Sequence, residues 1–279
     1  MRTFYLLTLA ILVSLVLLSC TSSTGNDDDG IIDSSEMVLV EGGTYMMGCQ
    51  ETNGEADEYP VHEVTVSSFY IGKYEVTEAL WIEIREELPL GCNSLGDNFP
   101  VTNVEYFTVR HFFNALSVRD GFEPCYYDDG WNWHCDFSKN GYRLPTEAEW
   151  EFAARGGNMS MGYLYAGSDE PSEVAICDKD SGLPQQVGTK QANELSIFDM
   201  SGNVAEYCHD WYTEDYYQDC LESGTVVNPK GPSEPDSHDH VLRNGSSGYS
   251  AFRSRIPYRS GRPFYGCSFG DFRLARNAE

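Results

Sequence analysis

The sequence predicts an α+β domain, rich in loops and poor in regular secondary structure. Three observations predict it. Helical periodicity is confined to three segments before residue 157, and the strand-like runs are short. The long stretch beyond them is dominated by Gly, Pro, Asp and Tyr, the residues of turns and irregular loops. No fixed-period repeat is visible, which argues against a solenoid or a propeller.

In chain order, the first element is not part of the domain. Arg2 precedes an apolar run from Leu6 to Leu18, and Leu17-Leu18-Ser19-Cys20 closes it, the layout of a secretory leader. The run is too short to cross roughly 30 Å of hydrocarbon comfortably. Its end is similar to the lipobox of bacterial lipoproteins, which implies lipidation of Cys20 and a chain anchored to a bacterial membrane, outer membrane or cell surface. Residues 1–19 are therefore read as the leader and 20–36 as a tether. Ser, Thr, Gly, Asn and Asp in the tether bury too little to offset ordering entropy. Residues 37–279 are read as one domain, since no second low-complexity break interrupts them.

Within the domain, Met37 to Val40 is a strand that ends at Gly42-Gly43. His62 to Ile71 alternates over Val64, Val66, Ser68 and Tyr70, again strand-like. Thr77 is expected to cap a helix carrying Leu80, Trp81, Ile84 and Leu88 and reaching about Glu87. Asn103 is expected to cap a second helix from Val104 to Arg119, stopped by Gly121, with a buried stripe of Phe107, His111, Phe112, Ala115 and Leu116. Thr146 with Glu149 forms a capping box at the head of a third helix, which Gly156-Gly157 ends. Val241-Leu242-Arg243 and Phe272-Arg273-Leu274 are late strands.

Charge and cysteines bound the function. The 279 residues carry 18 basic and 44 acidic side chains, a formal net charge of −26. That field repels phosphate, so nucleic acid is not an expected partner. Of nine cysteines, eight lie beyond Cys20. In an exported chain an even set favours disulfides, and the short separations single out Cys125 with Cys135 and Cys208 with Cys220. Zinc spacing of the CxxC type is absent. Six histidines are scattered along the chain; His238-Asp239-His240 looks ligand-like, with a solvated loop as the alternative.

Four segments carry a resemblance: Gly42-Gly43-Thr44-Tyr45-Met46-Met47-Gly48, Tyr74-Glu75-Val76-Thr77, the run from Tyr142 to Glu151 with Arg143-Leu144-Pro145-Thr146-Glu147-Ala148-Glu149-Trp150 at its heart, and Asp199-Met200-Ser201-Gly202-Asn203-Val204-Ala205-Glu206. With the closing Phe272-Arg273-Leu274-Ala275-Arg276 they occur in the order of the formylglycine-generating enzyme (sulfatase-modifying factor) family, which the chain resembles from about Met37 to Arg276. The resemblance implies a variant of the C-type-lectin-like fold. It also implies copper(I) held by two cysteines soon after an Arg-Gly-Gly-Ser motif, for oxidation of a sulfatase cysteine. Here the motif stands as Arg243-Asn244-Gly245-Ser246, and Ser247 to Arg259 contain no cysteine. Copper is accordingly not expected, and a copper-dependent oxidase acting on a sulfatase cysteine stands as the alternative to a non-catalytic role.

The resemblance further implies one structural calcium, with Asp199 and Glu206 as side-chain ligands and Gly202 and Val204 giving carbonyls. Such hard oxygens suit calcium, and an ordinary capped turn is the competing reading. The remaining roles are binding of a protein or glycan, or structural work in a surface assembly. Tyr126, Tyr127, Trp131 and Trp133, together with Trp211, Tyr212, Tyr216 and Tyr217, are candidate stacking platforms, against plain packing as the alternative.

Overall fold

A computed structural model describes residues 31–178, 181–233, 239–263 and 270–278. The leader, Cys20, most of the tether, His238 and Cys267 lie outside the described residues. Among the described residues no helix is long and apolar enough to cross a membrane.

The strands are β1 (Met37–Val40), β2 (Gly43–Met47), β3 (His62–Val66), β4 (Phe69–Glu75), β5 (Tyr126–Asp128), β6 (Trp133–Cys135), β7 (Ala205–Trp211), β8 (Val226–Val227), β9 (Asp239–Arg243), β10 (Ser260–Pro263), β11 (Gly270–Asp271) and β12 (Arg273–Asn277). The α-helices are α1 (Glu78–Arg85), α2 (Tyr106–Arg119), α3 (Glu147–Ala154), α4 (Pro171–Val174) and α5 (Tyr216–Ser223). The strands form small sheets in the orders β1-β4-β12, β10-β9-β7-β11 and β2-β3-β8, with β5-β6 as a separate hairpin. This is the loop-rich α+β architecture expected.

The elements differ from expectation where tertiary contacts decide. His62 to Ile71 is two strands, broken at Ser67-Ser68. Val64 and Val66 face the core on one side of the break and Phe69 and Ile71 on the other, so the inward parity flips. The Ser68 hydroxyl accepts from Gly42 N at 2.9 Å and Asn228 accepts from Ser67 N at 2.7 Å, which holds the step. Thr77 caps α1 by accepting from Leu80 N, but the helix ends at Arg85, with Glu86 left-handed at φ 66°. The second helix starts two residues late. Asn103 does not cap it; it sits at φ 58° and donates to the Gly91 carbonyl at 2.7 Å. The buried stripe is turned accordingly to Tyr106, Val109, Phe112, Phe113 and Leu116, leaving Phe107, His111 and Ala115 exposed. The domain also begins earlier than expected. Ser34 is buried, its hydroxyl accepting from Thr77 N at 3.2 Å, and Ile32 N donates to Asn98 at 2.7 Å.

Two apolar clusters hold these layers. One gathers Val40, Met47, Val64, Phe69, Trp150, Phe152 and Val241 around α3. The other gathers Trp81, Phe112, Phe113, Leu144 and Phe272 under α1 and α2. There Trp81 stacks on Phe112 at 5.1 Å, and Phe272 meets Phe113 edge-on at 5.2 Å. The register of β7 sets which charged groups meet at the centre: Glu206 stands opposite Arg243 on β9 and opposite Asp271 on β11.

Candidate functional site

The segment from Arg143 to Glu151 builds the centre of the molecule. Thr146 and Glu149 form the expected capping box. Arg143 grips the same Glu149 with both terminal nitrogens, at 2.7 and 2.8 Å. The helix behind this cap is buried almost all round. Two of its carboxylates point inward at arginines: Arg243 on β9, Arg259 in a distant loop and Arg155 at the helix's own C-cap. Glu147 meets Arg243 at 2.7 Å and Arg259 at 2.7 and 3.0 Å, while Glu151 meets Arg243 at 2.7 Å and Arg155 at 2.8 Å. Burial works to raise the Glu147 carboxyl, but Arg259 and Arg243 outweigh it and hold the group at about 2. Every charged side chain of this motif is thus committed to an internal partner, as a cap or as an ion pair.

The turn from Asp199 to Glu206 lies beside this centre. Asp199, Gly202 and Asn203 are all left-handed, at φ 57°, 85° and 62°. Gly202 is required there, since a Cβ would come within 2.2 Å of the Ile176 carbonyl oxygen. The turn aims the main-chain carbonyls of Asp199, Gly202 and Val204 at one buried point, and Glu206 adds Oε1. At that point sits the side-chain nitrogen of Asn244, 2.7 Å from the Asp199 carbonyl, 2.6 Å from Gly202, 3.1 Å from Val204 and 3.3 Å from Glu206. The four residues expected to hold calcium are therefore brought together. Asp199, however, contributes its main-chain carbonyl; its Oδ2 accepts from Gly188 N at 2.6 Å, and its Oδ1 is buried with no hydrogen-bond partner among the described residues. These donors do not fit a calcium ion as the chain stands. An amide nitrogen occupies their focus, and four oxygens fall short of the 6–8 that calcium takes at roughly 2.3–2.6 Å.

Around the turn, Glu75, Asp199, Glu206 and Asp271 crowd about Arg273. Arg273 pairs with Glu206 at 2.6 and 2.7 Å, and Trp150 Nε1 donates to the same carboxylate at 2.7 Å. Burial raises the other three acids, Asp199 to about 6 and Glu75 and Asp271 well above the usual carboxylate range, with neighbouring carboxylates adding to the effect. Among the described residues no group of three or more His, Cys, Asp or Glu is arranged to hold a metal.

The segment after Ser246, where a copper pair would be sought, is arginine-rich. Arg255 pairs with the buried Glu58 at 2.7 and 3.1 Å, Arg253 lies over Tyr249 at 4.6 Å, and Arg259 belongs to the Glu147 pair. Cys49 approaches Arg255 at 3.7 Å, and Cys177 neighbours Asp178, whose amide donates to the Tyr249 carbonyl. The Arg255–Glu58 pair and the focusing role of Asn244 escaped sequence reasoning. Only the Asn standing where the family motif has Gly could have signalled the latter.

The remaining expected residues divide. Among the described residues no disulfide bond is formed. The thiols of Cys125 and Cys135 are in hydrogen-bonding contact across β5-β6, where Cys135 lies opposite Tyr126. Cys208, by contrast, is packed in the main core beside α3, and Cys220 bonds to Tyr216 on α5. The two are not joined: one is committed to the inward face of a strand and the other to a helix. His240 is not in a solvated loop. It is buried on β9, stacked between Tyr106 at 3.5 Å and Trp211 at 3.8 Å, and burial lowers it to about 3. Packing also claims Tyr126 and Tyr217. Tyr127 and Trp131, 52% and 91% exposed, remain at the β5-β6 hairpin. Asp129 braces its tip by accepting from the Trp131 and Asn132 amides at 2.8 Å.

Known proteins share this outline. The model of the sulfatase-modifying factor enzyme 1-like domain matches residues 26–278. A chaperone protein, LppX, of Paenibacillus barcinonensis is 34% identical over 229 residues, 70% of this chain and 77% of that protein. The serine/threonine-protein kinase pkn1 of Chlamydia pneumoniae is 33% identical over 76% of this chain, which spans about a third (33%) of the kinase's length. Among solved structures, Treponema denticola variable protein 1 superposes with a TM-score of 0.73 at 28% identity, covering 87% of this chain and 95% of that one.

Proposed function

Because the chain belongs to the family of sulfatase-modifying factor enzyme 1-like domains yet lacks the thiol pair of the oxidising members, we propose that it is a non-catalytic lipoprotein of the cell envelope. It works by binding a protein or glycan partner, or as a structural component of a surface assembly. The observation that carries this reading is the segment from Ser247 to Arg259. It holds no cysteine, and its arginines are spent on internal carboxylates and aromatic rings. A soft monovalent metal needs thiolates, and this segment supplies none. The likeness to a protein named as a chaperone supports the binding side. So does the hairpin that leaves Trp131 91% exposed, a large aromatic surface with no ring or cation contact among the described residues.

The decisive test is chemical. With copper(I), oxygen and a sulfatase-type peptide, the peptide's cysteine is expected to keep its mass. Turnover above a copper-only blank would restore the oxidase. The anchor is tested separately. A fatty-acid analogue fed to cells is expected to mark the wild type, while Cys20→Ser should be unmarked and released from membranes. An unmarked wild type would remove the lipoprotein from the proposal.

A further inference from the structure

We propose that the side-chain amide of Asn244 is a built-in replacement for the calcium ion of this turn, so that the chain folds around an internal donor and needs no metal there. The argument begins with the partners. Four oxygens converge on one nitrogen: the carbonyls of Asp199, Gly202 and Val204, and Glu206 Oε1. All four can only accept while Glu206 is ionised, so their common neighbour must be a donor or a cation. An amide NH2 supplies two hydrogens, matching the two short distances of 2.6 and 2.7 Å; the others, at 3.1 and 3.3 Å, are longer. Reversing the amide would set its oxygen against all four acceptors, so chemistry alone fixes which end faces the turn.

Burial makes the replacement necessary. Asp199, Val204, Glu206 and Asn244 are all buried, so these carbonyls need a partner within the fold, and the amide supplies it. Charge is met separately, since Arg273 already neutralises Glu206 through two bonds of 2.6 and 2.7 Å. A neutral amide suffices where a divalent ion would otherwise balance the carboxylate. The backbone records the exchange. Asn244 holds φ 81°, a left-handed conformation that favours glycine and that Asn tolerates better than most residues. Glycine is the residue at this place in the Arg-Gly-Gly-Ser motif. A single side chain added at a glycine position thus reaches the focus of the cradle and closes it.

The test uses the full chain and calcium alone. Wild type is expected to melt at one temperature in calcium and in chelator. N244G keeps the backbone conformation and empties the focus. It is expected to melt several degrees lower in chelator, to recover with calcium, and to titrate with about one ion per chain. A wild type stabilised by calcium overturns the proposal, and so does an N244G variant that folds but ignores calcium. If N244G does not fold under either condition, the wild type still decides. Its Asn244 side-chain amide protons are expected to be protected from exchange and unmoved by excess calcium. Rapid exchange, or displacement by calcium, would overturn the proposal.

Discussion

Glu147→Gln is expected to destabilise the domain by about 3–5 kcal/mol, the usual cost of leaving a buried charge without its partner. For a domain of this size that lowers Tm by roughly 6–20 °C. Glu147 is fully buried and serves two arginines at once. Arg243 would keep Glu151 at 2.7 Å. Arg259 would lose its charged partner and keep the carbonyls of Asp57 and Thr213, at 3.3 and 3.1 Å, and the rings of Tyr212 and Tyr217. The same substitution has a pH signature. The folded pKa of Glu147 lies at about 2, below its ordinary 4.5. A depressed carboxylate stabilises above its unfolded pKa, and that contribution is lost as pH falls towards the folded value. The shift corresponds to on the order of 3 kcal/mol. The stability gap between wild type and Glu147→Gln, read by denaturant titration, should be full at pH 7 and shrink from about pH 4.5 downward. A gap that stays constant to pH 3 would show that Glu147 is not held ionised by its arginines.

Trp150→Ala is expected to cost a comparable amount, about 3–5 kcal/mol. Trp150 is the largest fully buried side chain in the domain. Its ring packs in the α3 cluster beside Phe152 and Val241, Arg243 lies over it at 5.2 Å, and its Nε1 donates to Glu206 at 2.7 Å. It therefore joins the Glu147–Arg243 pair to the Glu206–Arg273 pair. Trp150→Phe keeps much of the apolar volume but not the donor, and should lose only about 1–2 kcal/mol, since Arg273 still satisfies Glu206. Equal losses for Ala and Phe would mean that the hydrogen bond, and not the packing, carries the effect.

Much of this was legible in the sequence because it is local. The capping box needs only Thr146 and Glu149 three residues apart, and the Thr77 cap only the amide of Leu80. Both are set by backbone geometry within one turn. Gly202 was also legible, as a residue needed for a tight turn, and the order of the motifs led to the correct family and fold. The same locality explains the errors. Asn103 has the chemistry of a cap, but the Gly91 carbonyl, twelve residues away, takes its amide. The strand read through Ser67-Ser68 breaks because Gly42 and Asn228 anchor that step from other parts of the chain.

What the sequence by itself determined is the inventory: an acidic, loop-rich α+β chain of this family, without a cysteine between Ser247 and Arg259. Which side chains meet was decided only by tertiary structure. Arg243, Arg255 and Arg259 carry no sign in sequence of their partners, yet each is buried against a carboxylate about 100 to 200 residues away. Such a pairing leaves no periodicity to detect, because the cost of desolvating a charge depends on what the fold places beside it and not on its neighbours in sequence. The turn from Asp199 to Glu206 shows the same division. Its oxygens are written in the motif, but the occupant of their focus comes from Asn244, 38 residues beyond Glu206, and only the folded backbone brings that amide to them.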